Sequence, residues 1–418
     1  MHSHAGSGRK ASMTDAPHGP RPGRLAQAAK ERVFELHARP ALASLWEAVR
    51  ASKDELANLA AELCEVPAPT FQEMKRGRLF GERLSGFCDE PVEQDGIGNR
   101  WVSLKGTGAG PRVLVAAHLD TVFPEGTDCR VKRKGDRWYG PGLGDNCAGQ
   151  AVLALAGRLL NEAGRPFRGE LVLAGNVGEE GLGDLRGMRA LCKHFAGRLD
   201  GALALDGALG SVACAGVGSL RYRIGVKGPG GHSWSDFGRP SAVHQLARIA
   251  SSLTELHASA QPPSTFNVGV LRGGTTVNSI AEEAELLLDL RSVDQQALDD
   301  LDAQAMRRVR RLSDVEGLTI EVERVGERPA GDARLTQDWV DMARAAWLAL
   351  DVKPHFVTMS SDANIPLAQG TPASAMGVRR GGAAHTKEEW IEPGSLVVGL
   401  EAFLLTALAA QELLLQGS

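Results

Sequence analysis

No apolar run in the 418-residue sequence approaches the roughly 20 residues a helix needs to cross a bilayer, which predicts no membrane partner. The first residues, Met1 to Gly23, are polar and rich in His, Gly, Pro, Arg and Ser. They lack the apolar stretch of a secretory signal and read as a disordered tail, with His2 and His4 as solvated side chains. The six cysteines (Cys64, Cys88, Cys129, Cys147, Cys192 and Cys214) form no C-x-x-C pair. Scattered cysteines in a long chain without an export signal predict reduced thiols and a cytoplasmic protein. Positive charge is not in surplus either, since the formal net charge is -4. That excludes the global basic field that recruits nucleic acid. There is no internal repeat and no low-complexity tract, so repeat architectures are set aside.

What remains is an ordinary globular composition, 43% hydrophobic and 23% charged, which excludes a mostly disordered chain. The length exceeds one ordinary core and predicts two domains. From Arg24 to Leu63, Leu, Ala and Val recur at helical spacing. Val66-Pro-Ala-Pro69 breaks that pattern, and Thr70 to Leu84 returns to it. Arg112 to Ala117, Glu170 to Ala174 and Gly201 to Leu205 are short, nearly all-apolar runs, the signature of strands buried on both faces. Helical segments separate them, notably Ala148 to Leu160. This alternation predicts a mostly parallel α/β sheet flanked by helices. Between Gly218 and Arg328 the order becomes β-α-β-β-α-β, that of a ferredoxin-like α+β unit. Its expected elements are Ser219 to Lys227, Ser241 to Leu256, Thr265 to Leu271, Glu283 to Arg291, Gln295 to Leu312 and Leu318 to Arg324. Helix (Gln337 to Leu350), strand (Ala373 to Gly377) and helix (Ser395 to Leu415) follow. The expected organisation is a tail over residues 1–23, an α/β domain over 24–216 and 329–418, and an insert over 217–328.

The residues able to do chemistry gather where the buried strands end, the edge at which parallel sheets place their sites. His118 and Asp120 follow the first strand. A carboxylate two residues on can accept a ring N–H and fix the tautomer of a cation-bound imidazole. A loop histidine with no metal role is the bland alternative. Gly140-Pro-Gly-Leu-Gly-Asp145-Asn146 precedes a helix. Its glycines, at 140, 142 and 144, miss the G-x-G-x-x-G spacing of a phosphate cradle, which sets nucleotide binding aside. Asp145 is then either a carboxylate able to bridge two cations or a helix N-cap. Glu179 and Glu180, adjacent beyond the second strand, would repel unless solvated or paired with cations. One can bind metal while the other takes a proton from the attacking water. Asp206 ends the third strand, and His385 follows a strand-like run and Gly381-Gly382. Two imidazoles with several carboxylates and no thiolate suit zinc, with manganese or cobalt as alternatives.

The ordered set His118-x-Asp120, Gly144-Asp145-Asn146, Gly178-Glu179-Glu180-Gly181, Leu205-Asp206-Gly207, Gly230-Gly-His232-Ser and Gly382-Ala-Ala-His385 resembles the zinc-dependent aminoacylase and carboxypeptidase family. That family includes glutamate carboxypeptidase, tripeptidase T, acetylornithine deacetylase and succinyl-diaminopimelate desuccinylase. The resemblance runs from about Glu55 to Leu414. It implies a zinc-peptidase-like catalytic domain interrupted by a lid domain that mediates homodimerisation. It implies two zinc ions per subunit, one on His118 and Asp206, the other on Glu180 and His385, with Asp145 bridging. Glu179 would be the general base and later proton donor, and Asp120 would orient His118. His232 would reach into the partner subunit's site and steady the oxyanion, while Asn278 and Arg291 would contact the substrate's carboxylate. Cys147 departs from the family pattern and reads as a buried small residue.

The implied reaction is hydrolysis of an amide bond in a small peptide or N-acyl amino acid. Ser360-Ser-Asp-Ala-Asn364 and Gly381-Gly382 look most like the tripeptidase and glutamate carboxypeptidase branch, so peptidase is the leading expectation. An N-acyl amino acid deacylase is the alternative. A non-catalytic metal-binding protein of the same fold is the remote one, opposed by the retention of Glu179.

Overall fold

In the computed structural model, which describes residues 20–86 and 90–414, the apolar runs form the centre of an eight-stranded sheet. Its spatial order is Glu93–Gln94, Arg100–Lys105, Glu170–Asn176, Arg112–His118, Gly201–Leu205, Ala373–Met376, Ser211–Gly216 and His355–Met359. The inner pairings, from Glu170–Asn176 across to Ala373–Met376, are all parallel. Helices cover both faces, so these strands have no polar side to alternate with. One face packs on Gly149–Glu162, Ala333–Ala349 and Ser395–Leu413, the other on Arg186–His194 and Asn364–Ala368. Contrary to the expectation drawn from uninterrupted apolar runs, the helix Ser395–Leu413 is long and apolar enough to cross a membrane by length and composition. It is instead a core helix, with 83% of its apolar window buried in the protein.

The differences from the expected elements have local causes. The helical stretch from Arg24 divides into Ala26–Ala38, Ala43–Ala51 and Lys53–Cys64, with a 3-10 turn at Pro40–Leu42. Pro40 has no N–H to continue a helix. The helix expected from Thr70 begins at Met74, because Thr70 is engaged elsewhere: its hydroxyl donates to Asp120 Oδ2 at 2.9 Å. Ser211–Gly216, rich in Ala and Gly, and the three-residue strands Lys132–Lys134 and Arg137–Tyr139 carry too weak a β signal to be foreseen. The expected tail lies outside the described residues up to position 19. At its end Pro20 accepts a hydrogen bond from Arg344 Nη2, and the Gly23 N–H donates to Asp341. Cys88 also lies outside the described residues, and the other five cysteines are free thiols.

The second sheet is antiparallel, in the order Ser264–Gly273, Glu283–Ser292, Gly218–Lys227, Thr319–Arg328. Taken in chain order its strands lie 4-1-3-2, and helices Ala242–Leu253 and Gln295–Arg311 close a separate core on one face. This is the expected ferredoxin-like sandwich. Entry to and exit from it run side by side, with Gly331 N–H donating to Gly216 O at 3.0 Å. The Asn364 amide donates to both connections, at Val217 O (2.9 Å) and Pro329 O (2.8 Å).

Candidate metal centre

Three parallel strands end side by side, and their next residues converge. His118 is the last residue of its strand, Glu179 and Glu180 follow Glu170–Asn176, and Asp206 follows Gly201–Leu205. Asp145 enters from the loop before the helix Gly149–Glu162, and its peptide with Asn146 is cis. His385 comes from the short hairpin after Gly381–Gly382, with φ at +64°. That left-handed conformation costs a residue with a β-carbon about 1–2 kcal/mol.

The two oxygens of Asp145 face two imidazoles. His118 Nε2 lies 3.1 Å from Oδ1, and His385 Nε2 lies 3.2 Å from Oδ2. His385 Nε2 is also 3.0 Å from Glu180 Oε1. The other ring nitrogen of His118 sits 3.1 Å from the Asp120 carbonyl oxygen, which can only accept, so Nδ1 carries hydrogen. Nε2 then turns a lone pair towards a carboxylate oxygen, and the two need a proton or a cation between them. Ligand atoms of His118, Asp145 and Glu180 lie within 4.8 Å of one another. This convergent set of nitrogen and oxygen donors fits divalent metal ions.

The protonation preferences of the protein groups agree. Burial pulls the His118 imidazole down, but Asp120 and Asp145 outweigh it and hold its pKa well above the usual value. Bonds to Asp145 and Glu180 push His385 up to about 10. Burial opposes the Asp145 carboxylate, yet the two imidazoles keep its pKa far below the usual range. Asp206, buried beside the Asp145 charge, is pushed up to about 7.

The surroundings position the loop of paired glutamates. The Asp120 carboxylate accepts the backbone N–H groups of Glu179 and Glu180, each at 2.9 Å. Its own oxygen is 3.6 Å from His118 Nδ1, so it anchors the glutamates more closely than the imidazole. Burial raises the Glu179 pKa well above the carboxylate range, and Arg328 pulls against that shift. Arg328, the last residue of the insert's sheet, is buried. It donates to Glu179 Oε1 at 3.1 Å, to the Glu179 backbone carbonyl and to Ser360 Oγ at 3.2 Å. Neither Arg328 nor Glu389, whose carboxylate holds the Asp145 loop, belongs to a motif visible in the sequence.

The site opens into a cleft of about 600 Å³ between the two sheets. Asp145, Glu179, Glu180, Asp206 and His385 line it, together with Arg221, Arg291 and Arg328. Arg291 is thus beside the cleft, its guanidinium paired with Asp289 at 2.6 Å. His232 and Asn278 are not. They sit together on an exposed part of the insert, where the Ser233 N–H donates to the Asn278 carbonyl. Of the Ser360–Asn364 segment, Ser360 lines the cleft. Asp362 is buried and accepts from Asn176, and Asn364 pins the two connections.

A cage of imidazole and carboxylate at the carboxyl edge of a parallel sheet, under a ferredoxin-like insert, defines a metal-dependent hydrolase acting on peptide or other amide bonds. Residues 114–409 match the model of peptidase family M20/M25/M40, and the chain belongs to that family. It is 29% identical over 286 residues to a succinyl-diaminopimelate desuccinylase of Bordetella petrii, covering 63% of this chain and 73% of the relative. Its fold resembles a tripeptidase from Staphylococcus aureus (TM-score 0.71, 21% identity, 86% of this chain and 99% of the other). It also resembles the aminopeptidase PepT from Bacillus cereus (TM-score 0.69, 22% identity, 85% and 98%).

Proposed function

We propose that the protein is a two-cation peptidase of small peptides, with zinc as its metal and manganese or cobalt as substitutes. The observation that carries this is Asp145, whose two oxygens each face a different imidazole. A carboxylate so placed could bridge two cations: His118 and Asp206 would hold one, and Glu180 and His385 the other. When bound, the cations polarise the scissile carbonyl and lower the pKa of the attacking water.

The chain supplies the proton handling. Glu179 removes the water's proton and later delivers it to the leaving nitrogen. Burial favours the protonated form and Arg328 the ionised one, which suits a group that must do both. Asp120 fixes the backbone on which Glu179 and Glu180 stand, and holds His118 through its carbonyl. Arg291, a planar fork beside the cleft, binds the substrate's carboxylate.

We take residues 24–216 and 329–418 as the catalytic unit and 217–328 as the lid. His232 and Asn278, which do not line the cleft of their own chain, are read as contributions to the cleft of a second copy in a homodimer. Mixing His232→Ala with Glu179→Gln, each inactive alone, then restores activity. The second substrate class is N-acyl amino acids, favoured by the desuccinylase relative. The deciding experiment is metal analysis followed by turnover of dipeptides, tripeptides and N-acyl amino acids on zinc- or manganese-loaded protein. Stoichiometric metal with no turnover of any amide would leave a non-catalytic metal-binding protein.

A further inference from the structure

Glu389 stands four residues after His385 and is buried, at 1% exposure. Its carboxylate accepts three backbone N–H groups of a single loop. Gly142 donates to Oε2 at 2.7 Å, and Gly144 and Asp145 donate to Oε1 at 2.9 and 2.7 Å. Its backbone carbonyl accepts a fourth, from Gly140, at 3.0 Å. Successive amides turned inward form a nest, a concavity suited to carboxylate oxygens. The loop is shaped to this partner. Gly142 takes φ +79°, and a β-carbon on Gly144 would lie 2.5 Å from Arg379 Nε and 2.7 Å from Glu389 Oε1. Arg379, itself buried, lines the cleft beside Asp145 and Asp206.

One carboxylate therefore ties two segments 244 residues apart. One presents Asp145, whose oxygens must reach both imidazoles, and the other presents His385. We propose that Glu389 is a positioning residue of the metal centre. It holds the Gly140–Asp145 loop in the one conformation that sets Asp145 between His118 and His385, and Gly144 and Arg379 complete its socket. This rests on reading Asp145 and His385 as cation ligands. Side chains that orient ligands in this way are each worth about 10–100-fold in metal affinity.

The test is zinc binding by competition with a chromophoric chelator, together with melting of the metal-free protein. Glu389→Gln keeps shape but turns an amide NH2 towards loop N–H groups. It is expected to weaken zinc binding 10–100-fold while excess zinc restores most of the activity. Glu401→Gln, a buried carboxylate on the core helix paired with His37 at 3.2 Å, controls for buried charge and should leave zinc affinity unchanged. Wild-type affinity in Glu389→Gln, or a loss tracking only the instability of the metal-free protein, overturns the proposal. Should that variant not fold, Glu389→Asp and Gly144→Ala are expected to weaken zinc binding in the same way, and unchanged affinity in both overturns it. Wild-type protein that binds neither zinc nor manganese overturns instead the reading of the site as a metal centre.

Discussion

Replacing Arg328 by Met removes the cation that faces Glu179 at 3.1 Å in a site where both side chains are almost fully buried. Breaking such a pair costs about 3–5 kcal/mol when the remaining charge has no escape. Glu179 has one, because it can take up a proton. That costs about 1.4 kcal/mol for each pH unit above its ordinary pKa of 4.5. The pH-dependent part of the loss is then at most about 3.4 kcal/mol at pH 7 and about 0.7 kcal/mol at pH 5. The sign follows from proton counting. Burial already holds the folded Glu179 pKa above that of the unfolded chain, and loss of Arg328 raises it further, so the variant retains its proton to a higher pH than the wild type and its deficit grows as pH rises. The lost bonds to Ser360 and the Glu179 carbonyl add about 1 kcal/mol each at either pH. Urea unfolding of Arg328→Met in the presence of a chelator should show a deficit larger at pH 7 than at pH 5, by less than the roughly 2.7 kcal/mol between those bounds because burial already raises the wild-type Glu179 pKa. In a Glu179→Gln background the deficit should no longer depend on pH. Equal deficits at the two pH values, or the same pH dependence without Glu179, would refute the ion-pair argument.

Glu179→Gln should lower kcat by at least about 100-fold while the protein keeps its metal, as mass spectrometry of the folded protein can show. Zinc binding should displace protons held by His118, His385 and Asp206, whose pKa values lie high, so affinity falls as pH falls below about 10 and more steeply below about 7. Calorimetry in two buffers of different ionisation enthalpy counts the protons released, and none released would contradict the assignment. Asn364→Ala removes a buried amide that donates to both connections of the insert, and should cost about 2–4 kcal/mol in urea unfolding. A loss under about 0.5 kcal/mol would mean that the connections do not depend on it.

The candidate ligands His118, Glu180 and Asp206 were legible because each lies at the end of a buried strand whose apolar run is visible in one dimension. His118 ends Arg112–His118, and Asp206 ends Gly201–Leu205. The ferredoxin-like order was legible for the same reason, its strands and helices changing period at recognisable turns. What escaped notice depends on contacts between distant segments. Glu388 and Glu389 are the same residue type side by side, yet the first is exposed and the second buried under the Asp145 loop. Arg328 sits just before Pro329 at the end of a strand, where a solvated arginine is the ordinary expectation. Thr70 reads as the start of a helix, and only its bond to Asp120 explains why the helix waits until Met74. The weak strands share a different cause: three-residue or Ala- and Gly-rich segments pair because their neighbours are already in place.

The core helix Ser395–Leu413 has a consequence for biosynthesis. It packs against Ala26–Ala38 and Ala333–Ala349, so the described chain closes its main core with one of its last segments. The insert, complete at Arg328, has its own core and can fold while translation continues. A ribosome adding about 5–20 residues per second needs about 4–17 s to add the 85 residues from 329 to 413. Throughout that interval the apolar face of the parallel sheet stands without its central helix. Ribosome-bound chains truncated before Ser395 should therefore be more protease-sensitive across the parallel sheet than chains that extend past Leu413.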